Sequence, residues 1–264
     1  VSENNKKIVV VCGYPKSGTT WSTRLVAQLL SCPSVGFWGF EGDTFVTEGQ
    51  DRDSPLICYQ SHHAHHELTE VSDLPVHRLI YVVRDPRDVV VSGAFHFSFF
   101  NPLMLKFLKL IRPFSLQNNL KKLVARSNSK RYNIRRMIAM LRKGDPLIDH
   151  SNWAWDTHLD AYLKAENALV VRYEDLLLDG VNTARRILEH CEVSKTDDVI
   201  RKDLEAQSFR KRHQDFKQQN DKIKVRHMRK GVVGDWQNHL TNEEEAEIRS
   251  LFESQMKTLR YLDA

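Results

Sequence analysis

Gly13-Tyr14-Pro15-Lys16-Ser17-Gly18-Thr19-Thr20 brings together two glycines at the spacing of a phosphate loop, one lysine and three hydroxyls. Small residues let consecutive backbone N–H groups turn inward, and a helix starting after the loop adds positive potential. With Lys16, Thr19 and Thr20 as further donors, the chemistry of this segment is anion binding. In a nucleoside triphosphatase loop the lysine follows the second glycine. Here Thr19 follows Gly18 and the lysine lies inside the loop, which moves the cation toward the outer bridging oxygen of a bound phosphate. No acidic residue at a strand end is obviously placed for magnesium, so a metal-free phosphate site is expected. A tight β-to-α turn with incidental glycines is the plain alternative.

Two later segments carry residues of the same kind. Arg84 ends an apolar run, and Arg229 and Lys230 precede Gly231. A guanidinium meets a phosphate bidentately, an ammonium adds a point charge, and glycine lets backbone come close. The formal net charge of +5 says little by itself. Its distribution says more, because between Arg201 and Lys230 eleven Lys/Arg face four Asp/Glu. A solvated basic face is the other reading of that segment.

The run Gln60-Ser61-His62-His63-Ala64-His65-His66 concentrates imidazoles, which take up and release protons near neutrality. His62 with His66, or His63 with His66, could instead share a helix face and bind zinc or nickel, though no cysteine or carboxylate set completes the site. Solvated histidines at a helix start are a third reading.

Elements must hold these residues. Lys6 to Tyr14 (KKIVVVCGY) is a short β-branched run ended by a Gly/Pro cluster, as a buried parallel strand reads. After Gly18, Trp21, Leu25, Gln28 and Leu29 recur at helical spacing, and that helix ends before Cys32-Pro33. Further strands are expected at Pro55 to Tyr59, Arg78 to Arg84 and Ala168 to Tyr173. Asp85 can cap a helix whose first turn takes Pro86. Asn242 to Leu259 closes the chain as an amphipathic helix with acids in its first turn. Strands alternating with helices imply an α/β fold, a central mainly parallel sheet flanked by helices.

The segment 95–150 has no strand candidate and reads as a helical insertion. No Gly/Ser/Pro-rich linker brackets it, so residues 1–264 are expected to form a single domain. An apolar fraction of 41% and a charged fraction of 28% are those of an ordinary globular protein. Neither an export signal nor a run of eighteen apolar residues is present, and Cys12, Cys32, Cys58 and Cys191 are widely spaced. A cytoplasmic protein with buried free thiols is expected.

YPKSGTTW (Tyr14–Trp21) resembles the 5′-phosphosulfate loop of the cytosolic-type sulfotransferases, which use 3′-phosphoadenosine 5′-phosphosulfate (PAPS). RDPRDVVVS (Arg84–Ser92) resembles that family's 3′-phosphate motif, VRYEDL (Val171–Leu176) its Y-E-D segment, and RKGVVGDW (Arg229–Trp236) its R-K-G-x-x-G-D-W motif. These ordered likenesses span most of the chain. They imply an enzyme that moves a sulfuryl group in line from PAPS to a hydroxyl or amine of a small-molecule acceptor, releasing 3′,5′-ADP without a metal.

The resemblance also implies a set of residues. Donor contacts are expected from Lys16, Ser17, Gly18, Thr19, Thr20, Trp21, Arg84, Ser92, Tyr173, Ser208, Phe209, Met228, Arg229, Lys230 and Gly231. Trp21 and Phe209 would flank adenine, although either alone could be core. Tyr173 would bond the base and Ser208 the 3′-phosphate region. Catalysis would fall to His62 as general base, to Lys16 as the cation for the leaving diphosphate, and to Ser92, which would hold Lys16 until the acceptor arrives. The family's base sits in a K-T-H triplet, and here Gln60-Ser61-His62 stands there, without the lysine's charge near the sulfuryl oxygens. If the strand ends one residue later, His63 faces the pocket instead.

Two other functions fit parts of the pattern. A P-loop kinase shares the strand, loop and helix order but needs Mg²⁺ and a lysine after Gly18. A non-enzymatic nucleotide or nucleic-acid binder would use the basic segment. Neither accounts for all the motifs, so no nucleic acid and no membrane are expected as partners. The acceptor pocket should come from the His-rich loop, the 95–150 insertion and Trp153 to His158. Phe95, Phe97, Phe99 and Phe100 would form an aromatic wall or belong to the core. The family's dimer stretch, K-x-x-x-T-V-x-x-x-E, corresponds to Gln237, Thr241, Asn242 and Ala246, of which only Thr241 matches.

Overall fold

The computed structural model describes residues 6–40, 46–97, 99, 129–148, 150–227 and 230–262. Their centre is a five-stranded sheet in the order β2-β3-β1-β4-β5, parallel throughout. The strands are β1 (Lys7–Cys12), β2 (Ser34–Phe37), β3 (Leu56–Ser61), β4 (Val76–Val83) and β5 (Ala168–Arg172). Ile8, Val10 and Cys12 of β1 pack into one apolar cluster, and Val9 and Val11 into another. Side chains alternate between faces, so a run apolar at every position must be covered on both sides. Helices supply that cover. This is the expected α/β sheet.

Helix α1 (Thr19–Leu29) follows β1 and packs Leu25, Val26 and Leu29 against Val9 and Val11. Helix α2 is the single turn Glu67–Glu70. Helix α3 (Pro86–His96) begins as expected, with Asp85 accepting from the Arg87 amide and Pro86 in the first turn. In the described part of the expected insertion, α4 (Lys130–Lys143) is capped by Ser129 and ends at Gly144. Then come α5 (Trp155–Leu163), α6 (Tyr173–Leu178), α7 (Gly180–His190), α8 (Asp197–Ala206), α9 (Phe209–Gln218), α10 (Lys222–His227) and α11 (Asn242–Thr258). Thr241 and Glu244 close a capping box at the start of α11. Thus Thr241 has a local task at the position of the family's dimer stretch.

Strand β2 was not anticipated. Its four residues, SVGF, lie just after Pro33 and are too few and too polar for a periodicity to register. All four cysteines are free and buried. Among the described residues no helix is long and apolar enough to cross a membrane.

Register decides where the loops emerge. Cys12 pairs with Ser61 of β3 and with Tyr81 of β4, and Val83 pairs with Arg172 of β5. The residues following these strands, Gly13, His62, Arg84 and Tyr173, therefore leave one carboxyl edge together. In open parallel sheets this edge is where ligands bind.

Candidate active site

A cavity of about 400 Å³ lies along this edge, walled by Lys16, Gly18, Thr19, Thr20 and Trp21 of the loop and α1, and by His62, Arg84, Ser92 and Tyr173. Phe209, Lys230 and Gly231 close it from the chain's last third. Lys16 and Gly18 both have left-handed backbone, with φ of 75° and 87°. A Cβ on Gly18 would also come within 2.5 Å of the Tyr173 ring, so both the turn and the packing require glycine there. Beneath the loop, Ser17 Oγ, Thr19 Oγ1 and Arg84 Nε are buried without a hydrogen-bond partner. Each buried unpaired group costs about 1–3 kcal/mol, and an anion at the loop is placed to satisfy those on the cavity wall, Thr19 and Arg84.

At the next strand end, Gly13 O accepts a hydrogen bond from His62 Nδ1 at 2.6 Å. A carbonyl only accepts, so Nδ1 carries the proton and Nε2 the lone pair. Gln60 Nε2 lies 3.2 Å from that lone pair. Burial pushes His62 down to about 3, with His150, His158 and Lys16 adding to the effect, which keeps the ring uncharged. The next layer holds the ring's backbone. His158, also pushed down by burial, to about 4, donates from Nε2 to His62 O at 3.1 Å and accepts from Tyr81 O–H at 2.9 Å. His63 O accepts from Tyr162 O–H at 2.9 Å.

His63 is turned away from the cavity, with Nδ1 3.0 Å from Ser61 Oγ. His65 and His66 stand edge-on to Tyr162 and Trp153. His65 and His66 thus have partners of their own, and among the described residues no group of three or more His, Cys, Asp or Glu could hold a metal ion.

Arg84 lies over the Tyr173 ring, 4.6 Å from its centre, with long contacts to Lys16 O and Val232 O, both 3.4 Å, and an ion pair to Asp88 at 3.9 Å. Asp88, one turn into α3, accepts from the Gly234 and Trp236 amides at 2.8 and 3.0 Å. Trp236 in turn stacks under Arg87, 4.1 Å away. This pins the segment after Gly231 against α3. Gly231 itself has φ of 64°, and a Cβ there would meet the Phe209 ring at 2.3 Å.

Of the expected donor residues, Ser17 is buried under the loop rather than in the cavity wall. Ser208 also lies off the wall, and its hydroxyl caps α9 by accepting from the Lys211 amide. Met228 and Arg229 lie outside the described residues, as does Phe100. Phe97 lines the cavity, Phe99 is core, and Phe95 is half exposed beside Lys130 and His239.

Arg24, Arg212 and Lys224 were not anticipated. All three line the cavity and lie within 5.4 Å of the Phe216 ring. Glu48 bridges Arg24 at 3.5 Å and Arg212 at 3.1 Å. Arg24 carried a signal in sequence, since it lies one turn after Trp21 on the same helical face. Gln207, whose carbonyl accepts from Trp21 Nε1 at 2.7 Å, carried none.

The sulfotransferase domain matches this chain over residues 6–260. The chain belongs to the sulfotransferase family. Within that family, 3-alpha-hydroxysteroid sulfotransferase of Cavia porcellus is 26% identical over 269 residues, covering 92% of this chain and 81% of that protein. Sulfotransferase 2A1 of Homo sapiens is 24% identical over 272 residues, 95% and 85% of the two chains. The fold is shared with the crystal structure of a mouse sulfotransferase, SULT7A1, complexed with PAP, at a TM-score of 0.64 and 22% identity over 95% of this chain and 85% of that one. A retinol dehydratase in complex with androsterone and the inactive cofactor PAP superposes with a TM-score of 0.57 at 16% identity, covering 95% of this chain and 80% of that one.

Proposed function

We propose that this sulfotransferase-family chain transfers a sulfuryl group from PAPS to a hydroxyl or amine of a small acceptor. One observation carries the reading: buried, unpaired donors at Thr19 and Arg84 share a cavity edge with an uncharged His62 whose proton is on the ring nitrogen away from the cavity. Anion binding and proton acceptance are the two capacities that such a transfer needs. The PAP complexes of structurally similar proteins support the choice of nucleotide.

When bound, PAPS supplies the activated sulfuryl group. The loop from Lys16 to Thr20 would hold its 5′ end, while Arg84, Ser92 and Lys230 would hold the 3′-phosphate. Trp21, Tyr173 and Phe209 offer aromatic surface for the base. His62 Nε2 takes the acceptor's proton, and Lys16 stabilises charge on the departing diphosphate. The low proton affinity of His62 fits this order of events, since an uncharged ring is ready before phosphate charge draws the proton in.

Calorimetric titration with adenosine 3′,5′-diphosphate, beside ATP with Mg²⁺, tests the donor site. Metal-free binding of the diphosphate alone is the expected result, and preference for Mg·ATP or silence with both would overturn the reading. For the base, His62→Ala should abolish transfer and leave diphosphate affinity within about threefold, given that one side chain of a many-contact site is removed. Retained transfer would remove His62 from its role.

A further inference from the structure

Strand β4 ends at Val83 and β5 at Arg172, and these two residues are the last pair of their ladder. Arg84 and Tyr173 come next, beyond the ladder, and their side chains stack against each other in the cavity wall. One residue further on, Glu174 ties the two strand ends together, its Oε1 accepting from the Asp85 amide at 3.0 Å. Its Oε2 accepts from Tyr261 O–H at 2.9 Å. Two arginines hold Tyr261 in turn: its carbonyl accepts from Arg87 Nη2 at 3.0 Å, and its ring lies 4.6 Å from the Arg172 guanidinium. Arg87 closes the circuit on the Asp85 carboxylate, with Nη2 2.8 Å from Oδ2 and Nε 3.0 Å from Oδ1. Glu174 is 2% exposed, and none of Asp85, Arg87, Glu174 and Tyr261 lines the cavity.

Burial pushes the Glu174 carboxyl above its ordinary range, against the pull of the donors it accepts from. Replacing a buried ionic group by apolar packing is often neutral or stabilising, so stability alone does not call for a carboxyl here. What it supplies is direction. A hydrogen bond to the Asp85 amide fixes the peptide that follows Arg84. Arg84 depends on that peptide, because its own contacts to Lys16 O, Val232 O and Asp88 are all 3.4 Å or longer and its Nε has no partner. We propose that Glu174 is a positioning residue of the donor site which, braced by Tyr261, sets Arg84 for the 3′-phosphate of the nucleotide. This rests on the donor-site reading above. The brace comes from outside the motifs, since Tyr261 lies one residue past the family match.

The test titrates the wild-type protein, Glu174→Leu, Glu174→Gln and Tyr261→Phe with adenosine 3′,5′-diphosphate and, as a control without the 3′-phosphate, with adenosine 5′-phosphate. Calorimetric stoichiometry counts folded sites, which separates lost protein from lost affinity. Glu174→Leu should weaken diphosphate binding about tenfold or more and Tyr261→Phe about threefold or more, on the scale of hydrogen bonds to a charged group. Affinity for adenosine 5′-phosphate should change less than about twofold in both, because that ligand lacks the group Arg84 meets. Glu174→Gln should stay within about twofold of wild type for either ligand, since its amide oxygen accepts from the Asp85 N–H and its NH₂ donates to the Tyr261 oxygen. Should Glu174→Leu fail to fold, Tyr261→Phe removes only a hydroxyl and carries the same comparison. Unchanged diphosphate affinity in Tyr261→Phe overturns the proposal. So does an equal loss for both nucleotides, the mark of a purely structural role, or a glutamine that restores nothing. A wild-type protein that does not bind the diphosphate would instead strike the donor-site reading itself.

Discussion

At the residue scale the site is defined by polar atoms that the fold buries and does not satisfy. Ser17 is fully buried and its hydroxyl has no partner, an arrangement that costs stability unless a ligand compensates. Ser17→Ala should therefore weaken adenosine 3′,5′-diphosphate binding about tenfold or more, the worth of one charge-assisted hydrogen bond, while the unliganded protein melts no lower than wild type. Calorimetry and thermal denaturation of the same samples check both halves. A lower melting temperature with unchanged affinity would make Ser17 a packing residue. Its hydroxyl was visible in the sequence as part of the loop. Its isolation was not, because nothing in YPKSGTTW says which donor lacks a partner.

At the element scale the site depends on α3, which carries Ser92 into the cavity and anchors the segment after Gly231 through Asp88. Burial holds the Asp88 carboxyl above its ordinary range, against the pull of Arg84 and the two amides it accepts from. Asp88→Asn loses part of this double acceptor and should loosen the Lys230–Gly231 wall. The expected cost is about 1–3 kcal/mol of stability together with weaker diphosphate binding, read by chemical denaturation and calorimetry. Unchanged affinity would show that Lys230 and Gly231 keep their places without the anchor. Helix α3 was readable from Asp85-Pro86, since capping is local. The second task of Asp88 was not, because its partners lie at Gly234 and Trp236.

At the scale of the whole molecule, burial of uncharged histidines ties stability to pH. His158 is 1% exposed and held at about 4, and His62 is displaced the same way. A histidine in the unfolded chain titrates near ~6.5. Between that value and the lower folded ones the unfolded chain binds more protons, so stability is full above about pH 6.5 and falls as the solution is acidified, by about 1.4 kcal/mol per pH unit for each such histidine. The melting temperature should be lower at about pH 5 than at about pH 7.5, and His158→Gln should flatten the difference. A melting temperature that rises on acidification would refute neutral burial of these rings.

Local residue patterns decided a good deal on their own. The apolar run of β1 requires cover on both faces, the glycines allow the loop's turn, and Asp85-Pro86 starts α3, each through forces acting within a few residues. The shared carboxyl edge follows from those elements once the strands are parallel. Other features waited for the closed chain. The sequence points to His62 as the base and leaves His63 open, and the pairing of Cys12 with Ser61, which sets where β3 stops, turns His62 toward the cavity. Arg24, Arg212 and Lys224 meet around Phe216 because α1, α9 and α10 converge there. Gln60 read in sequence as the loss of a lysine. The structure makes it a donor to the base and an acceptor still unpaired, because a side chain's hydrogen-bond account is settled by neighbours that the chain brings together only when it folds.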